Sequence, residues 1–191
     1  MTGKLISFVR RKVFRIDKYR WDYQYATGQW NGLKSKEMQR LNVARDFLIN
    51  YTLGGNILEI GCGEGVFFQN ASGVDYSFYE AIDLSEVAIG RINKTGKSLF
   101  VAADMEKYVP VNDPFAVIVF NEVLYYSKNP LDLLRKYNQY LAKDGVLLVG
   151  MYDTKKSTDI WLGISKIFCE LDSVKIQQDS KAWNYKILKL I

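Results

Sequence analysis

Apolar residues follow two different rhythms along this chain. From Lys4 to Ile16, the positions Leu5, Ile6, Val9, Val13 and Ile16 recur at three- and four-residue intervals between Arg10, Arg11, Lys12 and Arg15, which predicts a basic amphipathic helix. A second helical stretch runs from about Lys36 to Tyr51, with Met38, Leu41, Ala44, Phe47 and Leu48 on one face. Between them lies an aromatic cluster, Tyr19, Trp21, Tyr23, Tyr25 and Trp30, set among Asp22, Gln24, Gln29 and Asn31. From Asn56 onward the rhythm changes to short apolar runs, predicting strands at Asn56–Ile60, Tyr79–Asp83, Leu99–Ala103, Phe115–Phe120 and Val146–Tyr152. Helices are predicted between them at Val66–Asn70, from near Glu86, and over Pro130–Leu141, where Asp144-Gly145 turns the chain into the fifth strand. A further helix is predicted over Ile160–Phe168. Then Leu171–Gln178 and Ala182–Leu190 alternate apolar and polar residues around Asp179-Ser180-Lys181, the pattern of an antiparallel hairpin. Strand and helix alternate throughout, which implies an α/β architecture: an open, mostly parallel sheet with helices on both faces and ligands at the carboxyl ends of the strands.

The stretch Glu59-Ile60-Gly61-Cys62-Gly63-Glu64-Gly65 closes the first strand with an acidic residue and three glycines at alternate positions. Glycine lets a ligand approach the backbone closely and takes positive φ without strain, while N–H groups at the start of the next helix attract anionic groups. A plain strand-to-helix turn is the other reading of these glycines. The spacing is G-x-G-x-G, not the G-x-G-x-x-G of dinucleotide sites. Asp83 follows the last glycine by 18 residues, the distance at which an acidic residue ending the second strand accepts hydrogen bonds from ribose hydroxyls. Asp83 or Ser85 is equally placed to cap the helix starting near Glu86.

Composition narrows the chemistry. With 191 residues, 48% of them hydrophobic, the chain can bury a core of ordinary single-domain size, giving residues 19–191 as the domain and 1–18 as an appendage. No apolar run is long enough to span a bilayer and the start lacks the pattern of a signal peptide, so a cytoplasmic location is expected. The net charge of +5 is carried by the start of the chain, where residues 1–20 hold seven basic side chains against Asp17, leaving 19 basic and 20 acidic residues elsewhere. A nucleic-acid enzyme would show a basic stripe through its folded body. The basic segment fits weak peripheral contact with an anionic membrane, or packing on the domain or on a second subunit. Cys62 and Cys169 form no C-x-x-C pair, so no metal site is expected, and the absence of histidine removes the commonest general base.

Taken together, these residues resemble the class I S-adenosylmethionine-dependent methyltransferases. The resemblance rests on Glu59-x-Gly61-x-Gly63-x-Gly65, Asp83, Asp104-Met105 after the third strand, and the closing hairpin, over about residues 19–190. The segments Ile82–Ile89 and Phe120–Tyr126 are further similar to small-molecule members, including the nodulation-factor N-methyltransferase type and methyltransferases linked to bacterial surface polysaccharides. The family implies a Rossmann-like, doubly wound, seven-stranded sheet whose last strand is antiparallel, with S-adenosylmethionine as cofactor and S-adenosylhomocysteine as product. By the same resemblance Asp83 holds the ribose, Asp104 accepts from the adenine amino group, and Leu84 and Met105 sandwich the adenine. Glu59 and the backbone of the glycine loop, Cys62 included, hold the methionine part, with the Asn121 carbonyl near its ammonium.

Transfer of an electrophilic methyl group demands alignment of the acceptor and exclusion of water. A neutral amine needs little else, whereas a hydroxyl needs a base, and the histidine found in many relatives after the fourth strand is missing. Glu122, Tyr125 and Tyr126 occupy that neighbourhood, with Glu122 and Tyr126 as candidate catalytic residues. The aromatic segment supplies Tyr25 and Trp30, which with Tyr125 are expected to line the pocket of a small-molecule acceptor, such as a sugar or polysaccharide precursor. Plain packing of the aromatics and local capping by Glu122 are the competing readings. A nicotinamide oxidoreductase shares the layout but not the spacing. An enzyme acting on a flipped base calls for an Asn/Asp-Pro-Pro-aromatic motif where this chain has Asn121-Glu122-Val123-Leu124. A non-catalytic adenosylmethionine-binding module stays open.

Overall fold

The structure is a computed structural model and describes residues 18–31 and 38–191. The amphipathic helix expected over Lys4–Ile16, and with it the membrane contact expected of residues 1–18, lies outside the described residues apart from Lys18. Among the described residues no helix is long and apolar enough to cross a membrane.

Seven strands form one sheet: β1 (Asn56–Ile60), β2 (Tyr79–Asp83), β3 (Ser98–Ala102), β4 (Phe115–Asn121), β5 (Leu141–Tyr152), β6 (Phe168–Gln178) and β7 (Lys181–Leu190). Their order is β3-β2-β1-β4-β5-β7-β6. β1 to β5 run parallel, and β7 inserts antiparallel between β5 and β6. The central strand β4 is apolar from Phe115 to Phe120 because both of its faces are covered. Val117 and Val119 pack with Leu41, Phe47 and Phe67 on one face, and Ile118 and Phe120 pack with Leu133, Leu134 and Tyr137 on the other. The first face is covered by α2 (Met38–Thr52), α3 (Val66–Asn70) and α4 (Glu86–Gly90), and α1 (Lys18–Ala26) packs on α4. The second is covered by α5 (Pro130–Asn138) and α6 (Lys155–Ile164), with a 3-10 turn at Leu124–Tyr126. The strand order reverses at β1 and β4, which opens a crevice beyond their carboxyl ends.

Several boundaries differ from the sequence expectations. The helix expected to reach Leu141 ends at Asn138, and Leu141 already pairs with Phe115 of β4. Asp144-Gly145 lies within β5 as a bulge, the pairing passing from Phe115↔Leu141 to Val117↔Val146. The helix expected over Ile160–Phe168 is α6, which starts at Lys155 because Thr154 and Ser157 form a capping box, and Phe168 opens β6. Met38, expected on the buried face of α2, is 38% exposed, while Arg40 is buried in that helix.

Candidate active site

The glycine loop after β1 takes its shape from backbone conformation and from room. Gly61, Gly63 and Gly65 have φ of 76°, 54° and 70°. At Gly61 a Cβ would sit 2.5 Å from Val123, and at Gly63 it would sit 2.7 Å from the Tyr25 hydroxyl oxygen. The loop amides are engaged inside the protein. Gly61 and Cys62 N–H both donate to the Ile82 carbonyl, Gly65 N–H to Cys62, and Gly63 N–H to Asp83 Oδ2 at 2.9 Å. α3 is only five residues long, and these four loop amides are already engaged.

Carboxylates end the first two strands and follow the third. Glu59 is 2% exposed, its Oε2 accepts from the Tyr79 hydroxyl at 2.8 Å, and burial pushes its carboxyl up to about 7 against the pull of Tyr79 and Arg40. Asp83 accepts from Gly63 N–H and, at 2.9 Å, from Ser85 N–H, and burial raises its pKa. Each of its oxygens retains a lone pair for a further donor. Of the two caps offered by the sequence, Ser85 is the N-cap of α4, accepting from Ala88 N–H. Asp104 Oδ1 accepts from Glu106 N–H. The loop that carries Asp104 and Met105 is tied down from α5, where Lys136 Nζ donates to the carbonyls of Met105, Glu106 and Tyr108 and the Tyr137 hydroxyl donates to Met105. Buried Glu80 holds its far end through Tyr108, Val111 and Asn112.

These ends border one cavity of about 590 Å3. All the residues singled out from the sequence line it except Gly65: Glu59, Gly61, Cys62 and Gly63 of the loop, Asp83 and Leu84, Asp104 and Met105, Asn121 and Glu122, and the rings of Tyr25, Trp30, Tyr125 and Tyr126. Gly65 instead sits behind it as the left-handed N-cap of α3. Of the aromatic cluster, Tyr19 and Tyr23 point to solvent, 71% and 69% exposed, because they lie on the outer face of α1.

Three contributors were not singled out as site residues from the sequence, although Trp21 and Asp22 lie in the aromatic segment. Trp21 stacks with Trp30 at 6.0 Å between centroids and meets Tyr126 edge-on at 5.1 Å, closing the roof between α1 and the β4 loop. Asp22 fastens α1 to α4, its Oδ1 accepting from the Ser85 hydroxyl at 2.6 Å and Val87 N–H at 3.2 Å. Arg40, 7% exposed, donates to Asn121 Oδ1 at 3.0 Å and the Tyr185 hydroxyl at 3.2 Å, and Tyr185 in turn donates to Asn121 at 2.7 Å. The available signal was that Arg40 shares the helical face of Ala44 and Phe47, where a cation requires partners. Lys18 also pairs with Glu86, and Arg91 binds both Glu64 and the Tyr25 carbonyl.

Glu122 has φ of 59°, unusual for a residue with a side chain, and is pinned by its N–H to the Gly150 carbonyl at 2.9 Å. Its Oε2 accepts from the Tyr125 hydroxyl at 3.0 Å. Burial, reinforced by Glu122, pushes both the Tyr125 and the Tyr126 phenols up, so they remain protonated donors at neutral pH. The charged lining of the cavity among the described residues is Glu59, Glu64, Asp83, Asp104, Glu106 and Glu122 against Arg40, Lys107 and Lys128. In a chain of net charge +5 the cavity is therefore acidic.

Comparison with known proteins agrees with this geometry. A family model described as a methyltransferase domain matches residues 36–185. Malonyl-[acyl-carrier protein] O-methyltransferase 2 of Ilyobacter polytropus is 29% identical over 152 residues, covering 70% of this chain. The chain spans 55% of the length of that relative. The N-methyltransferase NodS from Bradyrhizobium japonicum WM9 superposes with a TM-score of 0.67 at 20% identity, covering 81% of this chain and 96% of its own. The plantazolicin methyltransferase BpumL, in complex with a pentazolic desmethylPZN analog and SAH, gives 0.68 at 15% identity with full coverage of both chains. The chain belongs to the methyltransferase domain family, and its fold is that of the class I S-adenosylmethionine-dependent methyltransferases.

Proposed function

We propose that this chain binds S-adenosylmethionine in the cavity and methylates an amine or hydroxyl of a small molecule. The observation that carries the reading is the meeting, in one cavity at the switch point of the sheet, of Glu59, Asp83 and Asp104 from three adjacent strand ends. The residues fit the cofactor by their chemistry. Asp83 has lone pairs for ribose hydroxyls, Asp104 Oδ2 faces an acceptor role toward an amino group, and buried Glu59 gains a counter-charge from an ammonium. Leu84 and Met105 offer apolar faces to an adenine ring, and Cys62 and Gly63 leave room beside it. Bound S-adenosylmethionine supplies a methyl group made electrophilic by a sulfonium.

The chain itself orients the acceptor, excludes water and receives a proton. Trp21, Tyr25 and Trp30 roof the cavity, and Glu122, held by Tyr125, is the base that takes the acceptor proton, with the Tyr126 hydroxyl as a donor beside it. Flat aromatic walls also suit a sugar ring, in keeping with a sugar or polysaccharide precursor. The relatives named above include both an O- and an N-methyltransferase. Two measurements test the reading: calorimetric titration of S-adenosylmethionine and S-adenosylhomocysteine, and transfer of labelled methyl to a panel of small amines and alcohols. Binding of both compounds with transfer to one acceptor supports it. Binding without transfer across the panel favours a cofactor-binding module, and binding of neither contradicts the reading.

A further inference from the structure

From the roof over the glycine loop to the loop after β4, aromatic rings succeed one another along the cavity. Tyr25 and Trp30 lie 6.4 Å apart, Trp30 and Trp21 6.0 Å, Trp21 and Tyr126 5.1 Å, and Tyr126 and Tyr125 4.7 Å between ring centroids. The interplanar angles run from 27° to 88°, so the rings do not form one flat stack. All five rings line the cavity, and Glu122 lines it beside them. Ring faces carry negative quadrupole potential, and a cation held against several of them with a carboxylate at its side is attracted by all.

We propose that this ring wall, closed by Glu122, is a binding subsite for the protonated amine of the methyl acceptor. It deepens the methyl-transfer reading, on which it rests for the word acceptor, by assigning the substrate class: a small molecule bearing a primary or secondary amine. A neutral hydroxyl gains nothing from the ring quadrupoles and has no histidine to activate it, since the chain contains none. The acidic lining of the cavity points the same way. Glu122 would hold the ammonium on arrival and lie within reach of its proton, so recognition and deprotonation fall on one carboxylate. A second cation, the cofactor's sulfonium, could occupy the same field. It is absent from the demethylated product, which separates the two sources experimentally.

The test is a binding comparison, not an activity assay. Benzylamine against benzyl alcohol, and glucosamine against glucose, are titrated at pH 7 into the full chain, with and without saturating S-adenosylhomocysteine, following tryptophan fluorescence. The expected result is that in each pair the amine binds more tightly by roughly tenfold. The preference should fall to near parity in Trp21→Leu and in Tyr126→Leu, the latter at a residue 37% exposed and so tolerant of replacement. Equal binding of amine and alcohol in either pair, or a preference that survives both substitutions, overturns the subsite. The parallel titration of S-adenosylhomocysteine reports separately: a chain that prefers amines yet fails to bind it keeps the subsite and contradicts the methyl-transfer reading.

Discussion

The phenol of Tyr25 lies over Gly63 so closely that a Cβ on that glycine would sit 2.7 Å from its oxygen. The roof helix and the glycine loop are therefore fitted to each other. Gly63→Ala must both strain a residue at φ of 54° and displace Tyr25. The backbone part costs about 1–2 kcal/mol, and affinity for S-adenosylhomocysteine is expected to fall roughly tenfold, measured by calorimetry. In Gly63→Ala/Tyr25→Phe the nearest ring atom lies 3.5 Å away, so the double variant should recover part of that loss. A double variant no better than Gly63→Ala alone would show that the contact is without consequence.

Glu59 gives a pH dependence with a definite sign. Its carboxyl is raised from 4.5 to about 7 by burial, so between those values the folded chain keeps a proton that the unfolded chain has released. The contribution to stability is full below pH 4.5 and is lost as pH rises toward 7, an effect of about 3 kcal/mol. Without cofactor, Glu59→Gln should lose this slope and exceed wild-type stability at pH 8, read by denaturant unfolding at pH 5 and 8. A neighbouring ammonium would favour the charged carboxylate, so wild-type affinity for S-adenosylhomocysteine should rise from pH 6 to 8 while that of Glu59→Gln stays flat.

Lys136 does not itself line the cavity, yet it ties down the loop that forms one end of it. Replacement by Met removes three contacts to the carbonyls of Met105, Glu106 and Tyr108. Cofactor affinity should fall by roughly three- to thirtyfold, with cofactor-saturated turnover little changed, since the β4 side is untouched. A fall in turnover without a fall in affinity would place Lys136 in a different role.

For Glu122 the split is the reverse. Glu122→Gln keeps the size of the side chain and its acceptor for Tyr125 but not its basicity, so turnover at saturating cofactor should drop by roughly a hundredfold while S-adenosylhomocysteine affinity stays within about threefold. Turnover within about twofold of wild type for Glu122→Gln and Tyr126→Phe alike would move the chemistry off this loop.

How far the site was legible in the sequence depended on how each residue reaches it. Glu59, Asp83 and Asp104 directly end or follow short apolar runs, so their place at the strand ends could be read from local pattern. The hairpin was equally local, its two strands joined by a two-residue turn at Asp179 and Ser180. Arg40 was not legible, and of Trp21 only its membership of the aromatic cluster was, because what defines them is contact across the fold: Arg40 meets Asn121 81 residues away, and Trp21 meets Tyr126 on another element. The stripe reading of α2 placed Met38 inward, yet burial went to Arg40, whose charge is satisfied by β4 and β7 residues that no helical periodicity can show. The start of α6 was missed for a different reason. Its first turn is polar, and only the Thr154–Ser157 capping box marks it.

The central claim is that the carboxylates at the strand ends hold S-adenosylmethionine, and its most direct test is calorimetric titration of that compound and of S-adenosylhomocysteine into wild type and a folded Asp83→Ala variant. Asp83 accepts from Gly63 and Ser85 N–H and offers its remaining lone pairs to the ribose. The account predicts a single shared site in wild type and a loss of affinity of roughly tenfold to a hundredfold for both compounds in the variant. Unchanged affinity in Asp83→Ala, with circular dichroism confirming its fold, would contradict it.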